Sequence, residues 1–240
     1  MCEIALLKLD SRQFKFVIDS CMWASKHDNR EVEYAGLNMC LELITNVADA
    51  GPEISNGFFQ QFFIPILQDI FFVLTDTDHK AGFKSQSNLL SRMFYLVHPA
   101  DGTLPKIQGP ISPDQAATGL ENKDFLGQFV GNLLQTAFPN LQPCVESNTP
   151  HIVESHAANA YIRIQIKAFV DGLFTMNNNS DRFKLNLRDF LIQLKEFAGD
   201  NAELYAEEKE LQETAARAAE RERLSKVSGL LKPAELDDEL

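Results

Sequence analysis

Asp76, Asp78 and His79 form the densest cluster of carboxylate and imidazole groups in the sequence, within the segment TDTDHK. Such groups can transfer protons or bind a metal ion when they converge in a pocket. The segment lies between two helical patterns, however, and aspartates in such places commonly cap helix N-termini and form turns. We therefore interpret the cluster as capping and turn residues, and an enzymatic site built on it is the rival hypothesis.

His151 and His156 are the second candidate pair, with Glu154 between them in a polar segment. Two histidines at this spacing match no zinc motif, so we expect solvated side chains rather than ligands. The sequence therefore predicts no metal and no cofactor.

The four cysteines do not form a recognisable framework, because none sits in a CxxC pair. Cys21 and Cys40 fall on apolar helical stripes and are predicted to be buried, whereas Cys144 is the candidate for an exposed, reactive thiol. Cysteine usage of this kind, with no signal peptide recognisable at the start, favours a reducing compartment.

Composition and motifs argue against several classes of function. No P-loop, GxGxxG, GxSxG or HExxH signature is present, so we predict a protein without enzymatic activity. The net charge of −12 disfavours direct binding to nucleic acid, which rewards lysine and arginine. The apolar stretches are interpreted as too short to insert into a membrane. Protein partners fit this composition best.

The first 97 residues show four helical patterns that form two hairpins. Helices are predicted at residues 11–26, with Ser11 as N-cap, up to Asp49, through the phenylalanine-rich stretch that contains Pro65, and up to Val97. The first and third helices start about 44 residues apart, which is the period of HEAT and armadillo repeats. The sequence therefore predicts an all-α solenoid of helical hairpins of the HEAT type.

Residues 98–121 are rich in proline and glycine and are predicted to be a linker with no core of its own. Residues 122–199 are predicted to be a terminal helical repeat region, with helices at 122–138, 162–174 and 181–197. A polar stretch separates the first two of these helices.

The end of the chain is strongly charged. A long helix is predicted over residues 200–226, beginning with Asp200 and Glu203 in capping-box spacing, and an acidic tail over residues 227–240. The helix is acidic in its first half and basic at its end, an order that complements the helix dipole. Residues 200–240 carry half of the net charge of the chain. From the residues alone, the tail is either a solubilising end or a competitor for a basic site.

Five segments together carry a resemblance to a known family: QFKFVIDS (13–20), TDTDHKAGFK (75–84), AFPNLQ (137–142), FVDGLF (169–174) and RDFLIQLKEFAG (188–199). In their order and spacing they resemble the C-terminal region of the exportin one family, the karyopherin-β receptors for leucine-rich nuclear export signals. The resemblance extends over nearly all of residues 11–240. Residues 143–163 are extra relative to the family pattern and are a candidate insertion.

The resemblance implies the last repeats of a HEAT solenoid from a nuclear export receptor that shuttles between nucleus and cytoplasm. It implies Ran-GTP, export-signal cargo proteins and nucleoporins as partners of the complete receptor. It also implies that the last helix and the tail form an autoinhibitory element. The residues assigned to that element are Glu207, Glu208, Leu211, Arg217, Arg221, Arg223, Glu235, Asp237, Asp238 and Glu239. The alternative is an independent HEAT or armadillo adaptor that binds proteins without transport activity.

Overall fold

The computed structural model describes residues 10–138, 155–194, 197 and 199–225, and these residues are helical or irregular with no strand. The predicted all-α, HEAT-type fold is confirmed. The α-helices are α1 (Ser11–Ser25), α2 (Arg30–Asp49), α3 (Pro52–Thr75), α4 (Phe83–Val97), α5 (Pro113–Thr118), α6 (Asn122–Ala137), α7 (Ser155–Thr175), α8 (Ser180–Leu191) and α9 (Ala206–Ser225). Two 3₁₀ helices lie at Thr77–Gly82 and Ala202–Tyr205.

Helices α1 and α2 form a tightly packed antiparallel hairpin. Asp10, not the predicted Ser11, is the N-cap of α1, and it forms a reciprocal capping box with Gln13. The hairpin is closest at Gly36 of α2, where a Cβ atom would lie only 2.6 Å from the Cβ of Ala24 in α1. Glycine is therefore required at this crossing by packing rather than by backbone conformation.

Helix α3 contributes many large apolar side chains to the core. Its buried side chains include both adjacent phenylalanine pairs, Phe58–Phe59 and Phe62–Phe63. The predicted phenylalanine stripe thus packs in the core, as expected for a helix with neighbours on several sides. The helix is long and apolar enough to span a membrane, which the sequence interpretation missed, but most of its apolar side chains are buried inside the protein.

The predicted linker, residues 98–121, is partly buried, and the Ile107 N–H donates to the Leu96 carbonyl of α4 (3.1 Å). Ile107 and Ile111 are buried, and the Gln115 side chain accepts a hydrogen bond from the Ile111 N–H (2.8 Å). Asn122, at the start of α6, donates to the carbonyl oxygens of Ile107 and Gly109. The burial of Ile107 and Ile111 and the hydrogen bonds of the Gln115 and Asn122 side chains therefore hold this segment in place.

Helix α7 is longer than predicted and α8 is shorter. The helical conformation of α7 begins at Ser155 and passes without a break through the end of the candidate insertion. Helix α8 ends at Leu191 instead of Phe197. The residues after it form turns with backbone hydrogen bonds three residues apart, such as that from the Leu194 N–H to the Leu191 carbonyl (2.9 Å). Buried Leu194 and Phe197 extend the apolar pattern beyond the helix, which explains the overestimate.

Asn177 joins distant segments at the turn between α7 and α8. Its side chain accepts from the Ala100 N–H (2.9 Å) and donates to the His98 and Phe174 carbonyl oxygens (3.0 and 3.1 Å). Asn177 is itself buried, so these bonds satisfy an amide that would otherwise be costly. They hold the turn against the C-terminal end of α4.

The chain divides into two compact units, Met1–Asn201 and Ala202–Leu240. The predicted start of the last helix at Asp200 is wrong, because Asp200 and Asn201 belong to the first unit and bond within it, and the α-helix begins at Ala206. The Asp200 carbonyl accepts from Lys80 (3.1 Å), and the Asn201 side chain donates to the Phe197 carbonyl (2.9 Å). The second unit begins with the 3₁₀ turn Ala202–Tyr205 and continues as α9.

Candidate functional site

The Asp76–His79 cluster serves as a helix cap, as interpreted from the sequence. The Asp76 carboxylate accepts from the Asp78 N–H (3.1 Å) and caps the 3₁₀ helix that follows α3. No group of three or more potential metal ligands occurs among the described residues. His156 has no described side chain, and His151 and Glu154 lie outside the described residues.

His79 instead faces a buried carboxylate that sequence reasoning missed. Glu33 of α2 is only 3% exposed, and its Oε1 lies 3.8 Å from His79 Nδ1. Gln86 of α4 donates to Glu33 Oε1 (3.1 Å) and to the His79 carbonyl (2.8 Å). Burial raises the pKa of the Glu33 carboxyl, and the Gln86 hydrogen bond and His79 oppose that shift.

The Glu33 carboxylate also lies against the N-terminus of α4. Gly82, the N-cap of α4, has no side chain to cap the helix, and a Cβ there would lie 2.0 Å from Glu33 Oε1. A carboxylate from one hairpin thus lies beside the first residues of a helix of the next, and its hydrogen bond there comes from the Gln86 side chain. The signal available in the sequence was a single acid on the buried stripe of α2, four residues before Leu37. This arrangement joins two hairpins through buried polar side chains.

The described cysteines are buried and poorly suited to reaction. Cys21 and Cys40 are almost fully buried, as predicted. Burial raises the pKa of both thiols, which disfavours the reactive thiolate. Cys2 and Cys144 lie outside the described residues.

An apolar groove of about 380 Å³ opens between α3 and α6. Phe72 of α3 is 59% exposed beside it, and Leu133 and Phe138 line the opposite side. The Lys26 ammonium lies 5.4 Å from the centre of the Phe72 ring and pairs with Asp69. A groove of this kind can receive apolar side chains of a protein partner.

Helix α9, which contains most of the predicted regulatory residues, is a solvated helix. Described side chains from Glu208 to Glu222 are all exposed, and Leu211 is 63% exposed. Arg217 pairs with Glu213 on the preceding turn (3.6 Å). Glu207, Arg217 and Arg221 therefore belong to a helix whose described surface is charged or polar apart from Leu211 and five alanines. The side chain of Arg223 and the tail residues Glu235, Asp237, Asp238 and Glu239 lie outside the described residues.

Comparison with known proteins gives a consistent result. The sequence model of the family described as CRM1 C terminal matches residues 1–199. Exportin-1 of Schizosaccharomyces pombe is 47% identical over 235 residues, which cover 98% of this chain and 20% of the relative. Protein EXPORTIN 1A of Arabidopsis thaliana is 36% identical, and Exportin-1 of Drosophila melanogaster is 35% identical. Each of these two alignments covers the whole chain and 20% of the relative. The chain thus spans about a fifth of the length of these relatives.

Proposed function

Since this chain belongs to the exportin-1 family and matches its C-terminal region, we propose that it acts as the C-terminal part of a nuclear export receptor. The observation that carries the proposal is the 47% identity to a protein named Exportin-1 over nearly the whole chain. In this role the helical hairpins form the end of a longer solenoid, and no enzymatic step is required of them. The complete receptor would move between nucleus and cytoplasm with export-signal cargo, Ran-GTP and nucleoporins as its partners.

The exposed and charged α9 supports a regulatory role for the end of the chain. A helix with a mostly charged and polar surface gains little free energy from burial, so its position can respond to partners. We extend the proposal to autoinhibition, in which α9 and the acidic tail favour the receptor without cargo. Ran-GTP and cargo would then favour the other state of the receptor, because each would bind that state more tightly than the autoinhibited one.

The transport role is tested in a chimera. The Schizosaccharomyces pombe Exportin-1 with this chain in place of its own C-terminal region should export a reporter that carries a leucine-rich signal. A matched chimera with Leu90→Asp, which places a charge in the core, should lose export together with folding. A folded wild-type chimera without export would contradict the proposal and favour an independent protein-binding adaptor.

The regulatory role is tested by cargo binding without Ran-GTP. In the chimera, replacing Glu235, Asp237, Asp238 and Glu239 by their amides should raise cargo affinity several-fold. The control replaces four exposed acids of α1–α3, Asp19, Glu42, Asp49 and Glu53, and changes the net charge equally. Equal affinity in the tail variant and the unmodified chimera would refute autoinhibition without affecting the transport role.

A further inference from the structure

A second groove, of about 540 Å³, runs between α6 and α7 and differs in chemistry from the apolar groove. The two helices are antiparallel here, because Lys123 of α6 lies over Phe174 of α7, whereas Gly127, one turn later, also meets Val170, one turn earlier. The part of α6 that lines the groove extends from Lys123 to Gln135, which at about 1.5 Å per residue is roughly 18 Å. That length matches about five residues of extended peptide.

Positive charge is concentrated at one end of this groove. Arg163 and Lys167 lie one turn apart on α7, and both are exposed. Neither makes an ion pair or a side-chain hydrogen bond with another described residue. At the opposite end Lys123 lies over the Phe174 ring (5.9 Å), and two acids, Asp124 and Asp171, line the groove there. Arg163 and Lys167 are thus available to pair with the carboxylates of a ligand.

The rest of the groove can bind a peptide backbone. Gln128 and Asn132 are exposed on α6, and each amide can both donate and accept hydrogen bonds. Between them the floor is open, because Gly131 has no side chain and a Cβ there would meet no atom within 4 Å. An extended main chain can therefore approach the helix backbone closely.

We propose that the α6–α7 groove binds a short acidic segment of a partner protein, in extended form, with its carboxylates against Arg163 and Lys167. Charge complementarity fixes the direction of the segment, since the two acids Asp124 and Asp171 outweigh Lys123 at the other end and repel carboxylates. The net charge of −12 opposes general attraction of acidic peptides, so such binding requires the local cations. This inference does not depend on the transport role.

The test uses the full 240-residue chain and a fluorescein-labelled eight-residue peptide. The peptide carries four aspartates and glutamates in one half and serine and glycine in the other. Fluorescence anisotropy should show binding that falls at least fivefold in the double variant Arg163→Gln/Lys167→Gln, since two charge-assisted contacts are lost. The charge-matched variant Arg12→Gln/Lys15→Gln on α1 should stay within twofold of wild type.

A third variant blocks the groove without removing charge. Gly131→Leu introduces a side chain into open space, so the protein should remain folded, as a thermal melt will show, while peptide affinity falls at least tenfold. The proposal is overturned if wild type does not bind the acidic peptide, or if an amide analogue of the peptide binds equally well. It is also overturned if the two double variants weaken binding equally, or if folded Gly131→Leu binds like wild type.

Discussion

The substitution Gly36→Ala tests the packing of the first hairpin, because two opposing effects can be compared. Alanine is favoured over glycine within a helix by about 1 kcal/mol. At Gly36, however, the new Cβ would lie 2.6 Å from Ala24 Cβ and 2.9 Å from both the Cys21 carbonyl oxygen and the Ser25 nitrogen. Two of these three atoms belong to the backbone and cannot turn away.

The steric effect should exceed the gain in helix propensity. Carbon atoms pack best at about 3.5–4.0 Å, so α1 and α2 must separate by about 1 Å at their crossing. Overpacking costs about 1–3 kcal/mol, and the upper part of that range applies here because three atoms lie too close, two of them in the backbone. The gain of about 1 kcal/mol in helix propensity is subtracted from that cost. We expect the free energy of unfolding to fall by about 1–2 kcal/mol, measured by urea denaturation at constant m-value.

The same substitution elsewhere is the matched control. Gly131→Ala lies within α6, where the added Cβ meets no atom within 4 Å, so it should raise the free energy of unfolding by about 0.5–1 kcal/mol. Adding Ala24→Gly to the Gly36→Ala variant should recover part of the loss, because it removes the nearest carbon and leaves two backbone contacts. A Gly36→Ala protein as stable as wild type would refute the packing argument.

Two further substitutions address buried polar groups. Burial raises the pKa of Glu33 in the folded protein, so its favourable contribution to stability is present below the ordinary glutamate value of 4.5 and is lost as the pH rises through the folded value. The Glu33→Gln variant should therefore become more stable relative to wild type as the pH is raised from acidic to neutral, measured by denaturation of both proteins at each pH. A difference in unfolding free energy that does not change with pH would contradict this. Asn177→Ala should lower the free energy of unfolding by about 1–2 kcal/mol, because it leaves the partly buried Ala100 N–H and His98 carbonyl without their partner. Asn178→Ala, on an exposed neighbour, is the control and should change it little.

The sequence predicted the repeating helices because their apolar spacing is strong and local. Phe58, Phe62 and Ile66 recur at helical period, and all are buried in α3. Family membership was likewise predicted from long sequence segments, and it is confirmed. The ends of helices were less predictable, because several neighbouring polar residues can cap a helix, and the sequence does not show which side chain accepts the hydrogen bond from the backbone. Asp10 rather than Ser11 caps α1, and Phe197 is buried without extending α8.

The polar connections between repeats were not predictable from local pattern. Glu33, Gln86 and Asn177 each bond to residues in another element, so their roles depend on tertiary contacts that no spacing rule encodes. The candidate regulatory residues stay predictions for a related reason. The order of charges along α9 is a property of one helix, whereas autoinhibition requires a difference in free energy between two states of the receptor.

The bonds of Asn177 also bear on how the chain folds. Most packing in the first unit joins helices that are neighbours in sequence, and such contacts form quickly because little loop entropy is lost. The Asn177 side chain, by contrast, bonds to residues 77 and 79 positions earlier. Closing a loop of that length costs on the order of 4 kcal/mol before any bond forms. This connection should therefore form after the main barrier, so that Asn177→Ala speeds unfolding and leaves the folding rate almost unchanged.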